Sequence, residues 1–579
     1  MQLESNRRDP TVTRGAAFAV FVAAGLAACG PSAPDEAADL VLVGGNVVTM
    51  ADGAPVAEAV AVVGDRITAV GTDAEIQALV GPTTEVIALE GMTVIPGMID
   101  AHVHFTRLGR QQQILNTRGL TKEEIVAEVD RRAAAAQPGD WIEGRGWDQN
   151  TWEVREFPTA ADLDAVSPDN PVYLGRVDGH AAWVNSAALA AGGITRDTPD
   201  PSGGQILRDA SGEATGTLVD NAFRLVLAEM PPPSSAQRRE AVQLAIEEAL
   251  ASGLTGVHEA GGSREEIEVY LDMLEDDEFG FRLYEFVRWP AGEGERPYSY
   301  DDLDHFLEQG PQVGLYDNRL TIRGIKMSID GAMGSRGATF LEPYADDPGN
   351  TGLFRLTEDE IYDTILRGLE AGFQTATHAI GDAANRVVLD AFERAIAESS
   401  VEDHRLRVEH AQILHPDDIG RFAEMGVLPS MQPTHATSDM DWVADRVGEE
   451  RLEFAYAWRT LLDSGVPIIG GSDAPVESVK PLWGIYSAVT RQHHAPGDAD
   501  PWHPEQLVSR EEALRMFTID AAYGGFEEEL KGSLEVGKLA DIVVLSRDIM
   551  TIPAPEILQT EVVMTILGGR VVYEAGAQN

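Results

Sequence analysis

The sequence predicts an α/β protein with a (β/α)8 TIM barrel, a small β-sandwich domain built from both terminal segments, and a large insertion after barrel strand 1. Short apolar runs alternate with longer helical patterns through the middle of the 579-residue chain, and strands that alternate with helices form parallel βα units. Turn-punctuated, β-rich segments lie near both ends. Because one core rarely grows beyond about 250–300 residues, a chain of this length needs at least two.

Eight apolar runs are interpreted as barrel strands, which is the number that closes a parallel barrel. They span residues 94–104, 256–259, 281–287, 323–329, 374–378, 406–410, 427–431 and 467–471. We assign residues 94–504 to the barrel domain. Residues 105–250 are too many for one crossover, so we expect them to form an insertion that covers one end of the barrel.

The two terminal segments share one β-rich character. Residues 39–90 contain short apolar β runs separated by Gly- and Asp-containing turn signals, and residues 540–573 repeat this pattern. We therefore expect residues 39–93 and 505–579 to form one composite β-sandwich domain.

The first 38 residues are typical of an exported lipoprotein. Three arginines precede an apolar run at 16–28, which is too short to span a bilayer but suits a secretory signal. Residues 26–29, Leu-Ala-Ala-Cys, resemble a bacterial lipobox. The resemblance implies a signal peptide over 1–28, lipidation of Cys29 and a polar tether over 29–38.

The expected location is the bacterial cell envelope. Gly30 follows Cys29, where an aspartate is associated with retention at the inner membrane. We therefore expect a lipid anchor in the outer membrane, with the protein facing the periplasm. The alternative is a misassigned start before an ordinary cytosolic enzyme.

Composition restricts the partners of this chain. Its formal charge of −51 would repel phosphate backbones, so nucleic acid is not an expected partner. Cys29 is the single cysteine, which excludes an intramolecular disulfide and a Cys-rich zinc site. We expect a small-molecule substrate and membrane contact only through the lipid anchor, and we leave a homodimer open.

Polar side chains recur at the ends of the predicted barrel strands, where barrel enzymes place their active sites. His102 and His104 end the first strand, and the strand period of two directs both imidazoles to one face. Each histidine alone could be a hydrogen-bonded core residue. The other candidates follow later strands, and one is a lysine in an apolar run that needs a partner if it is buried. These further candidates are His258, Lys326, His378, His410 and Asp473.

The chain resembles the amidohydrolase superfamily, and within it the amidohydrolase 3 family and its N-substituted formamide deformylase-like branch. The resemblance covers nearly everything from Asp39 onward. Its motifs are PGMIDAHVH at 96–104, DGAMGSR at 330–336, THAIGD at 377–382, EHAQ at 409–412, GSDAP at 471–475 and KGSLEVGKLAD at 531–541.

The resemblance implies a site for two divalent metal ions, with zinc as the expected metal. One ion would be bound by His102, His104 and Asp473, and the second by His378 and His410. Lys326, carboxylated by carbon dioxide, would bridge the two ions. A hydroxide shared between them would attack the substrate carbonyl, and Asp473 would transfer its proton to the leaving amine.

The expected reaction is hydrolysis of a non-peptide C–N bond in a small amide, an N-acyl or N-formyl compound. An ester or lactone hydrolase would use the same site, and a catalytically inactive envelope or regulatory binding protein could share the fold. Five further residues are candidates for substrate contact: His258 after strand two, Arg336 for an anionic substrate group, and His180, Trp147 and Asp148 from the insertion. Core packing for His258 and loop hydrogen bonding for His180 are the alternatives.

Overall fold

The computed structural model describes residues 37–289, 300–495 and 500–577. Its centre is a nearly closed sheet of eight parallel strands, and each predicted barrel strand overlaps one of them. In spatial order these strands are Met98–Val103, Leu254–Gly262, Arg282–Arg288, Leu320–Ser328, Gln374–Ala379, Arg407–His410, Leu428–Met431 and Ile469–Gly470. A parallel bridge between Val103 and Ala474 joins the two ends of the sheet. The short strand Gln312–Gly314 is not one of the eight barrel strands, and it pairs antiparallel with the fourth of them, Leu320–Ser328.

The predicted first strand, residues 94–104, is two strands in the structure. Thr93–Pro96 belongs to a terminal sheet, and Met98–Val103 belongs to the barrel. The break falls at Gly97, where an added Cβ would lie 2.2 Å from the Thr255 hydroxyl oxygen. A glycine is needed here because the backbone passes so closely over a neighbouring barrel strand.

Helices surround the barrel strands and bury their apolar faces against them. Several begin with a capping box, as at Thr357, whose hydroxyl accepts from the Glu360 N–H. The predicted insertion, residues 105–250, begins and ends with the helices Phe105–Gln113 and Ser235–Ala251, which pack against each other. The α-helices outside residues 105–250 are Asp73–Gln77, Arg264–Glu275, Tyr300–Gln309, Glu358–Ala371, Asp382–Glu398, Pro416–Met425, Pro433–Asp439, Val443–Val447, Trp458–Asp463, Pro481–Thr490, Arg510–Met516 and Ile519–Gly524. The 3-10 turns outside the insertion are Glu449–Phe454, Pro504–Gln506 and Ala554–Gln559, and Leu315–Asn318 is a turn with left-handed backbone.

The insertion has a six-stranded sheet of its own. The spatial order of its strands is Gly204–Arg208, Ala214–Asp220, Ala181–Val184, Val172–Arg176, Ile142–Trp147 and Leu115–Asn116. Its helices are Lys122–Ala135, Ala160–Asp164, Ser186–Ala191 and Arg224–Leu227, with 3-10 turns at Gln149–Thr151 and Asn221–Phe223. Side chains of this unit line the cavity at the carboxyl ends of the barrel strands.

The two chain ends meet in one sheet. Its strands, in spatial order, are Arg570–Glu574, Val562–Leu567, Ile542–Leu545, Thr93–Pro96, Asn46–Val48 and Val56–Ala57. A second sheet contains Arg66–Gly71, Ala59–Val63, Leu40–Val43 and Glu85–Ala88. Buried apolar side chains from both sheets, such as Leu42 and Ile566, share one core.

Segment 505–579 also contains the helices Arg510–Met516 and Ile519–Gly524, which contribute to cores shared with the barrel. The domain boundaries therefore stay a prediction, as does the homodimer. Residues 1–36, with the signal peptide and Cys29, lie outside the described residues. Among the described residues, the helices are too short or too polar to cross a membrane.

Candidate metal centre and its cavity

His102, His104 and Asp473 converge at the carboxyl end of the barrel. The His102 Nε2 lies 3.6 Å from the Asp473 Oδ1, and the His104 Nε2 lies 3.3 Å from the same oxygen. One ligand atom from each of the three residues lies within 4.8 Å of the other two. The structure therefore brings together the HVH strand end and the aspartate after the eighth strand.

Backbone contacts between the first and last strands hold this group in place. The Asp473 N–H donates to the His102 carbonyl over 2.7 Å, and Asp473 has left-handed backbone with φ of 58°. Asp100 accepts from the N–H groups of His102 and Ser472 at 3.1 and 3.0 Å. The orientation of Asp473 is thus fixed by the closure of the barrel.

His410 ends the sixth strand and lies between two other imidazoles. Its ring centre is 4.7 Å from that of His102 and 4.5 Å from that of His378. The His410 Nδ1 donates to the Gln432 Oε1 over 2.8 Å. This bond leaves the Nε2 lone pair available for a metal ion.

His378 ends the fifth strand, and its Nε2 lies 3.3 Å from the Asp330 Oδ1. Burial raises the pKa of Asp330 to about 7, although three backbone N–H groups that it accepts favour its ionised form. In the described part of the chain His378 does not join a three-residue ligand group, so the pairing of His378 with His410 as metal ligands stays a prediction.

His435 is a site residue that the sequence analysis missed. It lies in the helix Pro433–Asp439, just after the seventh strand, and its Nε2 is 3.6 Å from the Asp473 Oδ2. The Gln412 amide donates to the His435 Nδ1 over 2.8 Å, so the Nε2 carries the hydrogen and faces the centre as a donor. Its position four residues beyond a barrel strand was the available signal.

Lys326 lies buried in the fourth strand and lines the cavity. Burial lowers its pKa to about 8, with Arg288 and Arg407 acting in the same direction and the carboxylates of Glu409 and Asp473 opposing them. A larger fraction of Lys326 than of an ordinary lysine is therefore neutral near pH 7, and the neutral amine is the form that reacts with carbon dioxide.

A buried charge network behind His102 was also missed. The His102 Nδ1 donates to Glu409, whose other oxygen accepts from the Arg407 Nε over 2.7 Å. Burial opposes ionisation of Glu409, but the charges of Arg407 and His102 outweigh it and hold its pKa below the ordinary value. Such an outer carboxylate fixes the imidazole tautomer and raises its basicity as a ligand.

Four polar atoms at the centre are buried without a hydrogen-bond partner among the described residues. They are the Nε2 atoms of His102, His378 and His435 and the Oδ1 of Asp473. Buried polar atoms are normally satisfied, so this cluster needs an explanation. The Nε2 atoms of His102 and His378 and the Oδ1 of Asp473 are the kinds of donor that fit a divalent ion such as Zn²⁺, whereas the His435 Nε2–H can donate to a bound ligand.

The centre opens into a cavity of about 630 Å³, the size of a small-molecule site. Lys326, the ligand candidates other than His102, and two of the predicted insertion residues line it. The two are His180, whose Nδ1 lies 2.7 Å from the Asp220 Oδ1, and Asp148, which pairs with Arg176.

The other three predicted contacts lie elsewhere. Trp147 is fully buried in the insertion core, because a bulge at Gly146, with φ of 120°, interrupts the alternation of the strand. His258 is buried 3.0 Å from the Arg407 Nη1, away from the cavity lining. Arg336 pairs with Asp346 at 2.9 Å in a separate cleft, so it is not placed to hold a substrate group at this centre.

The barrel and its cluster of imidazoles and carboxylate define a metal-dependent hydrolase. The amidohydrolase family matches residues 85–573, and the chain belongs to this family.

Two curated relatives agree with this assignment. The chain is 36% identical to the Bacillus subtilis protein YtcJ over 92% of this chain and 98% of that protein. It is 30% identical to the N-substituted formamide deformylase of Arthrobacter pascens, over 93% of this chain and 98% of the relative.

The comparison with solved structures also finds a metal-dependent hydrolase. An uncharacterized metal-dependent hydrolase from Pyrococcus furiosus shares 28% sequence identity, with a TM-score of 0.68, over 88% of this chain and 100% of that chain.

Proposed function

We propose that the protein hydrolyses the amide C–N bond of a small N-acyl or N-formyl amine. One observation carries the proposal: buried imidazole and carboxylate atoms that have no hydrogen-bond partner among the described residues cluster beside a cavity. The relative named N-substituted formamide deformylase supports an amide substrate.

In the proposal, His102, His104 and Asp473 would hold one divalent ion, His378 and His410 would hold a second, and Lys326, once carboxylated, would supply oxygen ligands to both. Zinc is the proposed metal. Such ions would supply Lewis acidity, which lowers the pKa of water toward about 7 and polarises a carbonyl oxygen.

In the proposal, side chains of the protein carry out the proton transfers. Burial raises the pKa of Asp473 to about 7, against the opposing charges of Lys326 and Arg145. Asp473 lies against the imidazoles of His102 and His104, so in the proposal it would take a proton from water and return it to the amine that leaves. The His435 Nε2–H is positioned to donate to the substrate carbonyl oxygen.

The test is turnover of a library of formamides, other amides, lactams and esters by the zinc-loaded protein. We expect release of amine from an amide, and loss of that activity in Asp473→Asn with metal content retained. Turnover of esters or lactones alone would replace the amidase proposal with the esterase alternative. Less than about one ion per chain, with no turnover, would favour a binding protein.

We also propose that lipid on Cys29 anchors the mature protein in the outer membrane. The support is the lipobox-like sequence at 26–29. Cys29→Ala should move the protein from the membrane fraction to the soluble fraction without loss of activity, because the anchor lies outside the barrel. A Cys29→Ala protein that still sediments with membranes would contradict the anchor.

A further inference from the structure

His180, a residue of the insertion, lies beside the proposed metal centre but has no part in the proposed proton transfers. Its ring centre is 5.2 Å from that of His378, and both side chains line the cavity. Gly179, with φ of 74°, forms the turn before His180, and the strand Ala181–Val184 follows directly. An imidazole in this position can contact a substrate that is bound at the centre.

Asp220, at the end of the strand Ala214–Asp220, fixes the direction of the His180 ring. The Asp220 Oδ1 lies 2.7 Å from the His180 Nδ1, and the Asp220 N–H donates to the His180 carbonyl over 2.9 Å. A carboxylate oxygen can only accept a hydrogen bond, so the Nδ1 of the neutral imidazole carries the hydrogen. The His180 Nε2 therefore keeps its lone pair.

This lone pair is on the cavity side of the ring. The Asp220 side chain is 1% exposed and the His180 side chain is 15% exposed, so the ring runs from the protein interior to the cavity. The Nδ1 edge faces the buried carboxylate, and the opposite edge of an imidazole carries Nε2. His180 thus presents a hydrogen-bond acceptor to the cavity.

The conformation of Asp220 is costly for the fold. Its backbone has φ of 47° and ψ of −127°, a region that glycine adopts and other residues avoid. Its Oδ2 is buried without a hydrogen-bond partner among the described residues. Strained residues of this kind cluster at functional sites. The contact with His180 explains why an aspartate occupies this position.

Two glycines of the barrel loop after the fourth strand make room for the same carboxylate. An added Cβ at Gly331 would lie 2.5 Å from the Asp220 Oδ2, and one at Gly337 would lie closer still. The insertion and the barrel loop are therefore fitted together around Asp220, which holds His180 at a defined place relative to the centre.

His435 lies at the other end of a row of imidazoles. The ring centre of His410 is 5.9 Å from that of His435 and 4.5 Å from that of His378, which contacts His180. The His435 Nε2–H is a donor, whereas the His180 Nε2 is an acceptor. A secondary amide has the two complementary groups, a C=O and an N–H, on adjacent atoms.

We propose that His180, oriented by Asp220, accepts a hydrogen bond from the N–H of the scissile amide and so selects secondary amides over esters. The inference rests on the proposed function for the reaction itself. An ester has an oxygen in place of the N–H, and the lone pairs of that oxygen repel the lone pair of Nε2. A site that hydrogen-bonds a substrate N–H discriminates strongly against an analogue that lacks it.

The binding test compares N-benzylformamide with benzyl formate, which differs by an oxygen in place of the N–H. Dissociation constants are measured by calorimetry on the zinc-loaded Asp473→Asn protein, in which hydrolysis is expected to be lost. We expect the formamide to bind about 10–100-fold more tightly than the ester, because the ester leaves the His180 acceptor unpaired.

Three further variants, each combined with Asp473→Asn, assign the preference to one atom. His180→Phe should remove it, because a phenyl ring keeps the bulk but has no lone pair. His180→Gln should keep part of it, because the amide oxygen can accept. The control is His493→Phe, at an exposed histidine that lies 3.2 Å from Asp441, and it should leave the preference intact.

Asp220→Gly tests the positioning role of Asp220. Glycine adopts this backbone conformation without strain, so the midpoint of thermal unfolding should not fall. The preference for the formamide should nevertheless drop several-fold, because the imidazole can then take either tautomer. A lower midpoint together with an intact preference would show that Asp220 is structural and would contradict this role.

The turnover test uses the same two compounds without the Asp473 substitution. His180→Phe should lower kcat/KM for N-benzylformamide about 10–100-fold and change that for benzyl formate little. If the wild type cleaves neither compound but binds the formamide with the His180-dependent preference, the proposed hydrolysis fails and the N–H acceptor stands. Equal binding of amide and ester, or a preference that survives His180→Phe, would overturn the acceptor role.

Discussion

At the scale of single residues, the centre is shaped as much by hydrogen-bond partners as by the ligand candidates. Glu409 and Gln432 accept from the Nδ1 atoms of His102 and His410, which leaves both Nε2 atoms as electron-pair donors. His435 has the opposite tautomer because Gln412 donates to it. Three chemically identical side chains thus divide into two that have a free Nε2 lone pair and one that has an Nε2–H.

Glu409→Gln tests the role of the outer carboxylate. The amide oxygen can still accept from His102, but the negative charge is lost, so we expect zinc affinity to fall about 10–100-fold. Affinity is measured by competition with a chelator of known strength. Glu393→Gln, an exposed glutamate that pairs with Arg421, is the control and should bind zinc like the wild type.

Lys326→Ala tests the bridging lysine. We expect activity to fall at least about 100-fold, because no other side chain supplies an oxygen to both proposed ions. Acetate or propionate should partly restore turnover, since a short carboxylate fits the vacated space. Asp473→Asn should show no such rescue. Full activity and two bound ions in Lys326→Ala would contradict the bridge.

At the scale of elements, strand ends were predictable and local breaks were not. The positions of His102 and Asp473 could be predicted because each lies in a motif at the end of an apolar run. The carboxyl ends of parallel strands meet at one end of a barrel. The bulge at Gly146, which turns Trp147 into the insertion core, depends on pairing with a strand that is distant in sequence. Arg407, Glu409 and His435 gain their roles only through tertiary contacts, so sequence patterns alone could not identify those roles.

Glu285, in the third barrel strand, provides a prediction for stability. It accepts from the Gly262 N–H over 2.9 Å, and its other oxygen has no partner among the described residues. Burial and the neighbouring Glu259 raise its pKa well above the ordinary value. Its protonated form is therefore the stable one in the fold, and stability is lost as pH rises from about 4.5 toward the folded-state pKa.

Glu285→Gln should remove this loss, because an amide does not titrate. The midpoint of thermal unfolding of the variant, relative to the wild type, should be higher at pH 8 than at pH 5. Glu275→Gln, at an exposed position, is the control. A difference between variant and wild type that is the same at both pH values would argue against a neutral Glu285.

At the scale of the whole molecule, a buried ion pair joins the barrel to the terminal sheet. Arg282 begins the third barrel strand, and its Nε and Nη2 donate to the two oxygens of Asp541 over 2.7 and 2.9 Å. Asp541 directly precedes the strand Ile542–Leu545. The Arg282–Asp541 ion pair thus connects the barrel to the terminal sheet, far from the candidate metal centre.

Asp541→Ala should destabilise the fold by about 3–5 kcal/mol, because it leaves the Arg282 guanidinium buried and unpaired. Unfolding by denaturant measures the change, and hydrolysis at low temperature should stay near the wild-type rate. Asp359→Ala, which removes an exposed partner of Arg394, should change stability by less than about 1 kcal/mol. Equal effects of the two substitutions would contradict the linking role of the pair.

The sheet shared by the two chain ends has a consequence for synthesis. Thr93–Pro96 pairs with Ile542–Leu545, which leaves the ribosome about 450 residues later. At a synthesis rate of roughly 5–20 residues per second, one edge of Thr93–Pro96 stays unpaired for about 20–90 s. Unpaired edges attract other chains, so a holding chaperone should associate with the nascent protein during this interval. The last strands to be translated complete a structure that the first strands began.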